Sequence, residues 1–333
     1  MRARGREGPY LVVDAARTLV SMPALAARIR DAGHRLLTPD RGADSDADVL
    51  AYIEEADAVI AGAREPYDAA VLARARRLQV IARTGVGFDR IDLAAATARG
   101  IFVATTPGTL ERSVADHTML LILAAARNLI PMDRAVHAGR WERIAGIELD
   151  GRRLGLLGLG RIGREVATRA RAFGLRLIAY DPVPDVAFAS AVGVALAPTW
   201  MDVLAEADIV SLHLPLLPDL ERFVGRDFLR RMKAGSILVN TARGALVDEG
   251  ALYEALSGGH LRAAALDVLA VEPVDPKSPL LGLPNLILTP HVASFTEEAW
   301  LRVVARAVDN VLDALQGRVP VGALNPEAGA RRG

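Results

Sequence analysis

The sequence predicts an α/β protein made of two doubly wound parallel-sheet domains. Its 333 residues exceed one comfortable hydrophobic core, and 51% of them are hydrophobic, enough to bury a core in each of two domains. Short apolar runs alternate with amphipathic stretches, the pattern of βαβ units around parallel sheets. The alternation comes in two series, with a longer apolar helical segment between them.

The first series gives strands at Tyr10–Val13, Arg35–Leu37, Ala58–Ala61, Gln79–Ala82 and Ile101–Val103, with helices between them such as Met22–Asp31 and Pro66–Ala75. Right-handed crossovers make this a small doubly wound domain. A helix over Leu110–Asn128 follows the turn at Pro107-Gly108; apolar on most faces, it should be buried between partners. A second helical piece, Pro131–Ala138, runs into Trp141. The second series has strands at Arg153–Leu157, Arg176–Tyr180, Ile209–Leu212, Ser236–Asn240, Ala263–Leu266 and Leu286–Leu288. After His291 comes one long amphipathic helix, Glu297–Gln316. Residues 317–333 lack periodicity and are expected to be partly frayed.

Charge and composition exclude several classes. Lys+Arg and Asp+Glu both total 40, a net charge of +0, which argues against a nucleic-acid partner. All cationic residues except Lys233 and Lys277 are arginine, which reads as coding bias rather than function. The absence of cysteine rules out disulfides, thiolate catalysis and Cys-ligated zinc, and no metal site is expected. Met1 to Pro9 is polar and lacks the apolar core of a secretory signal; the longest apolar run, Met119–Ala126, is far short of a bilayer span. The expectation is a cytoplasmic protein without a membrane partner.

Gly158-Leu159-Gly160-Arg161-Ile162-Gly163 directly follows a strand and opens a helix running to about Phe173. Asp181 closes the next strand, 23 residues after Gly158 (181 − 158). Together these meet the contextual demands of a dinucleotide-binding, Rossmann-type fingerprint. Gly158 permits the tight turn, Gly160 the close approach of a pyrophosphate, and Gly163 the packing of helix on strand. The helix start offers N–H groups and partial positive charge to phosphate. Asp181 would accept hydrogen bonds from the adenosine ribose hydroxyls and repel a 2′-phosphate, favouring NAD over NADP. The bland alternatives are a glycine turn that binds nothing and an aspartate that merely starts the turn before Pro182.

Three polar segments follow later strands: Asn240 to Gly244, Asp267 to Glu272-Pro273, and Thr289-Pro290-His291. An arginine, a carboxylate and a histidine at such strand ends suit carbonyl reduction. Arginine offers a planar fork of donors to a carboxylate and a neighbouring carbonyl. Histidine titrates near neutrality and can give or take the proton that accompanies hydride transfer, while a carboxylate beside it fixes the tautomer. Singly, Arg243 reads equally well as a solvated cap, Glu272-Pro273 as a surface turn and His291 as a core residue.

At this point the chain resembles the D-isomer-specific 2-hydroxyacid dehydrogenase family, which includes phosphoglycerate dehydrogenase, glyoxylate/hydroxypyruvate reductases and D-lactate dehydrogenase. The motifs are Thr84 to Asp92, Thr106-Pro107-Gly108 with Ser113-Val114-Ala115-Asp116-His117-Thr118, Leu154 to Gly163, Asn240 to Asp248, Leu266-Asp267-Val268 and Thr289-Pro290-His291. The resemblance implies catalysis by Arg243, Glu272 and His291. Arg243 would bind substrate carboxylate and carbonyl, and Glu272 would pair with the acid/base His291. Gly158, Gly160, Arg161, Ile162, Gly163, Asp181, His213, Pro215, Thr241, Ala242, Arg243, Asp267, His291 and Ser294 would contact NAD. Arg161 and Ile162 would do so through backbone N–H groups, and Asp267 through the carboxamide. His213 is read equally as a cofactor contact or not. Val86, Gly87, Arg243 and His291 would bind substrate. His117 reads as packing or a dimer contact.

The resemblance also implies that a Rossmann NAD-binding domain, residues 108–289, is inserted into a flavodoxin-like substrate domain, residues 1–107 plus 290–333. Closure of a cleft between them would exclude water. Helices over about 110–141 would form a homodimer surface. Thr105, Leu110 and Asp116 depart from the Asn, Asn and Glu often found in the family, and the run Val292-Ala293-Ser294-Phe295 after His291 lacks the tryptophan of some reductase members, which leaves the substrate open. No regulatory domain is expected after the catalytic fold. The implied activity is NAD-dependent interconversion of a small 2-oxo acid and its D-2-hydroxy acid, of hydroxypyruvate, glyoxylate or 3-phosphoglycerate type. The alternatives are an NAD-sensing corepressor-like interaction protein on the same fold, or formate or phosphonate oxidation. Arg64 is either a phosphate contact or a solvated loop residue.

Overall fold

The computed structural model describes residues 9–40 and 45–332. Most of the polar N-terminal segment, residues 1–8, lies outside them, as do 41–44 and 333. The chain forms two compact units, Met1–Leu110 with Glu297–Gly333, and Glu111–Thr296.

The first unit begins β1 Leu11–Asp14, α1 Pro23–Asp31, β2 Arg35–Leu37, α2 Asp46–Ile53, β3 Ala58–Ala61, α3 Ala69–Arg74, β4 Val80–Arg83, α4 Leu93–Ala98 and β5 Phe102–Ala104. Its five strands are all parallel in the order β2-β1-β3-β4-β5, the flavodoxin-like winding. The inner strands β1, β3 and β4 are buried on both faces, which is why they read as unbroken apolar runs rather than alternations.

The second unit runs α5 Glu111–Ala126, α6 Leu129–His137, β6 Arg153–Leu157, α7 Arg161–Ala172, β7 Arg176–Tyr180, α8 Val186–Val192, β8 Val194–Leu196, α9 Trp200–Glu206, β9 Ile209–Leu212, α10 Arg226–Arg231, β10 Ile237–Asn240, α11 Glu249–Ser257, β11 Ala263–Leu266 and β12 Leu286–Leu288. Its seven parallel strands are ordered β12-β11-β10-β9-β6-β7-β8. Counted from the first strand of the unit this is the Rossmann order with one strand added beyond it. One face carries α5 and α7, with Leu154, Leu156, Val166, Ala167 and Ile122 in its core; the other buries Val210, Leu238, Phe228 and Leu252. The chain then returns to the first unit as α12 Glu297–Leu315, which lays Val304, Ala307, Val308 and Val311 against the sheet of that unit.

Three expectations need correction. A seventh strand, β8, was not expected in the second sheet. It is a three-residue edge strand paired only to β7, with Ala195 and Leu196 exposed, too short and one-sided to show a period. The helix expected over Leu110–Asn128 ends at Ala126. Asn128 takes a left-handed φ of 52°, which asparagine tolerates, and α6 starts at Leu129 with Pro131 in its first turn, where the missing N–H costs nothing. Helix stops at His137, and Trp141, 82% exposed, lies in the irregular stretch beyond it.

The third correction is the tail. Rather than fraying, it runs antiparallel along β5, with Thr105 N–H donating to Gly322 O (2.8 Å) and Leu324 N–H to Val103 O (2.8 Å). Asn325, 1% exposed, accepts from Val103 N–H (2.8 Å) and donates to Ile101 O (2.9 Å) and Thr97 Oγ1 (2.8 Å). The segment thus covers a sheet edge that would otherwise present unpaired N–H and C=O groups. Its aperiodic sequence gave no sign of this because backbone and the Asn325 amide make the polar contacts and only the small side chains of Ala323 and Ala328 join the core. Asn325→Ala is expected to lower unfolding free energy by about 2–4 kcal/mol, since it leaves buried groups unpaired. Denaturant titration checks this; an unchanged midpoint would mean the docked tail adds no stability.

Candidate active site

The sheet order of the second unit sets out the expected site residues in sequence along one edge. Asp181 follows β7, the glycine loop β6, His213 to Pro215 β9, Thr241 to Arg243 β10, Asp267 to Glu272 β11 and His291 β12. Because all strands are parallel, every one of these segments leaves the same carboxyl edge, with neighbours about 4.8 Å apart. The β6/β9 pair is the switch point at which chain direction across the sheet reverses, the place where such sheets take nucleotides.

The glycine loop shows which of its glycines the protein itself requires. Gly158 has φ 96°, and a Cβ there would lie 2.5 Å from His213 O; a Cβ on Gly163 would lie 2.3 Å from Gly158 O. Those two are demanded by internal packing. Gly160, at the N-cap of α7 with an ordinary φ of −70°, would direct a Cβ into open space. Nothing inside the fold explains that glycine, whereas a pyrophosphate lying over the loop would. Arg161 and Ile162 open α7, whose first-turn N–H groups have no partner within the helix. The residues present therefore fit a dinucleotide.

Asp181 serves the turn. Its Oδ2 accepts from Leu159 N–H (2.7 Å) and its Oδ1 from Val183 N–H (2.9 Å), which leaves each oxygen a further lone pair. His213 packs its main chain under Gly158, and its Nε2 lies 3.0 Å from Ser211 Oγ. Burial pulls the His213 imidazole down to about 4, so it is neutral. Pro215 is exposed beyond it.

Glu272 and His291 meet directly. His291 Nδ1 is 2.8 Å from Glu272 Oε2, and Glu272 Oε1 accepts from Leu269 N–H (3.0 Å). A carboxylate can only accept, so Nδ1 carries its proton and Nε2 is left as the exchanging nitrogen. Burial raises the Glu272 carboxyl, but the His291 ring and the Leu269 N–H together hold the group below its usual range. With side chains 41% and 37% exposed, His291 and Glu272 are open to a reactant.

Arg243 is brought close by backbone packing. Asn240, fully buried, accepts from Ala242 N–H (2.9 Å) and donates to Arg243 O (2.8 Å), bracketing the 241–243 turn. A Cβ on Gly244 would fall 1.9 Å from the Leu269 carbonyl carbon, so glycine lets the Arg243 loop abut the loop that carries Glu272. Neither Asn240 nor Gly244 was singled out by chemistry in the sequence; the Arg-Gly pair was the available signal.

Asp267 is 1% exposed and turned towards the histidine segment. Its Oδ1 accepts from Thr289 Oγ1 (2.6 Å) and Val292 N–H (2.9 Å), and its Oδ2 from Ala293 N–H (2.9 Å). Burial raises its carboxyl, yet His117, Thr289 and the two N–H groups together hold it below the usual carboxylate range. A carboxamide contact would have only the remaining lone pair of Oδ2. His117, expected in packing or at a dimer surface, places Nε2 3.1 Å from Thr289 Oγ1 and 3.5 Å from Asp267 Oδ1. Next to it, Thr118 donates to Val114 O (2.8 Å), so in its 2.9 Å contact with Thr241 it accepts. The proton of the Thr241 hydroxyl is thereby spent inside the protein, and its oxygen can still accept. Ser294 continues the segment, its carbonyl accepting from Thr296 N–H (3.1 Å). Val86 and Gly87 belong to the first unit, in the loop after β4, where Arg83 Nε donates to Gly87 O (2.8 Å).

A doubly wound sheet with this loop at its switch point defines a dinucleotide-binding domain. A family model described as the D-isomer specific 2-hydroxyacid dehydrogenase, NAD binding domain, matches residues 119–293. Glyoxylate reductase of Korarchaeum cryptofilum is 39% identical over 297 residues, 87% of this chain and 89% of that protein. D-3-phosphoglycerate dehydrogenase of Mycobacterium leprae is 42% identical over 283 residues, 84% of this chain but 53% of its own length, so the chain spans about half of that relative. The crystal structure of the TT0316 protein from Thermus thermophilus superposes with a TM-score of 0.84 at 38% identity, covering 95% of this chain and 99% of that one. The chain belongs to the D-isomer-specific 2-hydroxyacid dehydrogenase family of oxidoreductases, and its second unit binds NAD(H). Among the described residues no cluster of His, Asp or Glu suits a metal, and no helix is long and apolar enough to cross a membrane.

The glycines can be separated by experiment. Gly160→Ala should leave the thermal midpoint unchanged while weakening NADH binding about tenfold or more, a loss of at least about 1.4 kcal/mol. Gly158→Ala and Gly163→Ala should lower the midpoint. Undiminished NADH affinity in Gly160→Ala, measured by fluorescence titration, would remove the pyrophosphate from this loop.

Proposed function

We propose that the chain interconverts a small 2-oxo acid and the corresponding D-2-hydroxy acid with NAD(H). Bound NADH supplies the hydride. The observation that carries this reading is the 2.8 Å bond from His291 Nδ1 to Glu272 Oε2 at the carboxyl edge of the sheet. It leaves Nε2 as the atom that hands a proton to the oxygen of the carbonyl undergoing reduction. Glu272 stabilises the ring while it is an imidazolium and keeps Nδ1 protonated once Nε2 has given up its proton. Arg243, on the adjoining loop, offers its guanidinium to the substrate carboxylate and the same carbonyl oxygen. In the reverse direction His291 Nε2 takes the hydroxyl proton.

His291→Ala is expected to lower turnover about 10²–10⁴-fold with NADH affinity near wild type. Arg243→Ala should lower it comparably and raise KM for the acid. The assay is NADH oxidation with glyoxylate, hydroxypyruvate and 3-phosphohydroxypyruvate, the substrate range suggested by the glyoxylate reductase and phosphoglycerate dehydrogenase relatives. No 2-oxo-acid-dependent oxidation defeats the proposal and favours an NAD-sensing interaction protein; a His291→Ala variant of near wild-type turnover defeats the acid/base role of His291.

Asp181 supports a preference for NADH over NADPH. Its carboxylate is fixed by two backbone N–H groups and cannot easily turn away. Against a 2′-phosphate at about 4 Å the repulsion is on the order of 4 kcal/mol at an effective dielectric of 20. Wild type should therefore use NADH at least about a hundredfold better than NADPH by kcat/KM, and Asp181→Asn should narrow that ratio. Equal use of both by wild type would retire this assignment.

A further inference from the structure

Helix α5 packs under β10, β11 and β12 and carries His117 beneath the segment that presents His291. The protons in this network can be assigned. Asp267 Oδ1, an ionised acceptor, takes the Thr289 hydroxyl proton at 2.6 Å, so Thr289 Oγ1 faces His117 Nε2 with a lone pair. His117 therefore holds a proton on Nε2 and donates it to Thr289, with Asp267 Oδ1 a second acceptor at 3.5 Å.

What this network restrains is a strained backbone. His291 has φ 55°, a left-handed conformation that costs a non-glycine residue on the order of 1–3 kcal/mol when held at a site. It is kept there by its own N–H on Asp267 O (2.8 Å) and by Val292 and Ala293 N–H on the Asp267 carboxylate. The carboxylate can serve those two N–H groups only in one orientation, and Thr289 and His117 are the side chains that set it.

We propose that His117 is a positioning residue for His291. Through Thr289 and Asp267 it holds the 289–293 segment in the conformation that keeps the imidazole against Glu272. Without its N–H, the half-buried Thr289 hydroxyl loses its donor and turns, Asp267 Oδ1 loses a partner, and the segment relaxes away from the left-handed conformation at His291. The reaction then loses the aim of its proton donor while the nucleotide loop, beyond β9 at β6 and β7, is untouched.

This inference rests on His291 being the acid/base, so three substitutions are compared with His291→Ala. His117→Leu removes the donor. His117→Asn keeps a polar helical residue too short to reach Thr289, and His117→Gln returns an N–H near the position of Nε2. Leu and Asn should each lower kcat about ten- to a hundredfold, as expected for a misplaced reacting group. NADH affinity should stay within about twofold, and the solvent deuterium isotope effect on kcat should rise because proton transfer becomes more limiting. Gln should recover most of the loss. If Leu and Asn keep wild-type kcat while His291→Ala is inactive, the positioning claim fails alone. If Gln and Asn are equally impaired, or if kcat and NADH affinity fall together with an unchanged isotope effect, His117 is a packing residue. Near wild-type turnover in His291→Ala overturns the acid/base reading on which this one stands.

Discussion

The carboxylate of Asp267 is the interaction on which the reactive edge depends. It sits at the end of β11 with almost no solvent contact and receives donors from the segment that follows β12. A charge so placed is tolerable only because hydrogen-bond donors converge on both of its oxygens. The consequence is geometric. Val292 and Ala293 turn their N–H groups onto it, and the chain bends at His291, which takes a conformation few residues adopt.

Around that anchor the site is assembled from main chain more than from side chains. Gly244 lets two loops touch backbone to backbone, Gly158 rests on the carbonyl of His213, and Asn240 brackets the turn that bears Arg243. Each contact fixes a loop against its neighbour. Gly160 is the complementary case, a glycine with nothing to accommodate in the protein. Rigid strands with short bracketed loops hold reacting groups more closely than long mobile loops can.

Much of the fold was legible because parallel βαβ units write themselves as spaced apolar runs. Five of the six strands expected in the second series begin and end where the structure has them, and Ser236–Asn240 is one residue too long at its start. The failures share a cause. β8, the break at Asn128 and the docking of the tail through Gly322 and Asn325 depend on edge pairing, on one residue's left-handed backbone and on main-chain contacts, none of which leaves a hydrophobic period.

The sequence by itself determined the alternation that makes two doubly wound sheets, the glycine fingerprint with its distant Asp181, and the residue types at each strand end. Those are local features, written within a few tens of residues. Only the tertiary structure decided that Glu272 meets His291, that Asp181 is tethered to Leu159, and that His117 lies under Thr289 and Asp267 rather than on a free helix face. Such pairings join residues up to 172 positions apart, and it is the strand order of the sheet, set by how crossovers pack, that makes them neighbours.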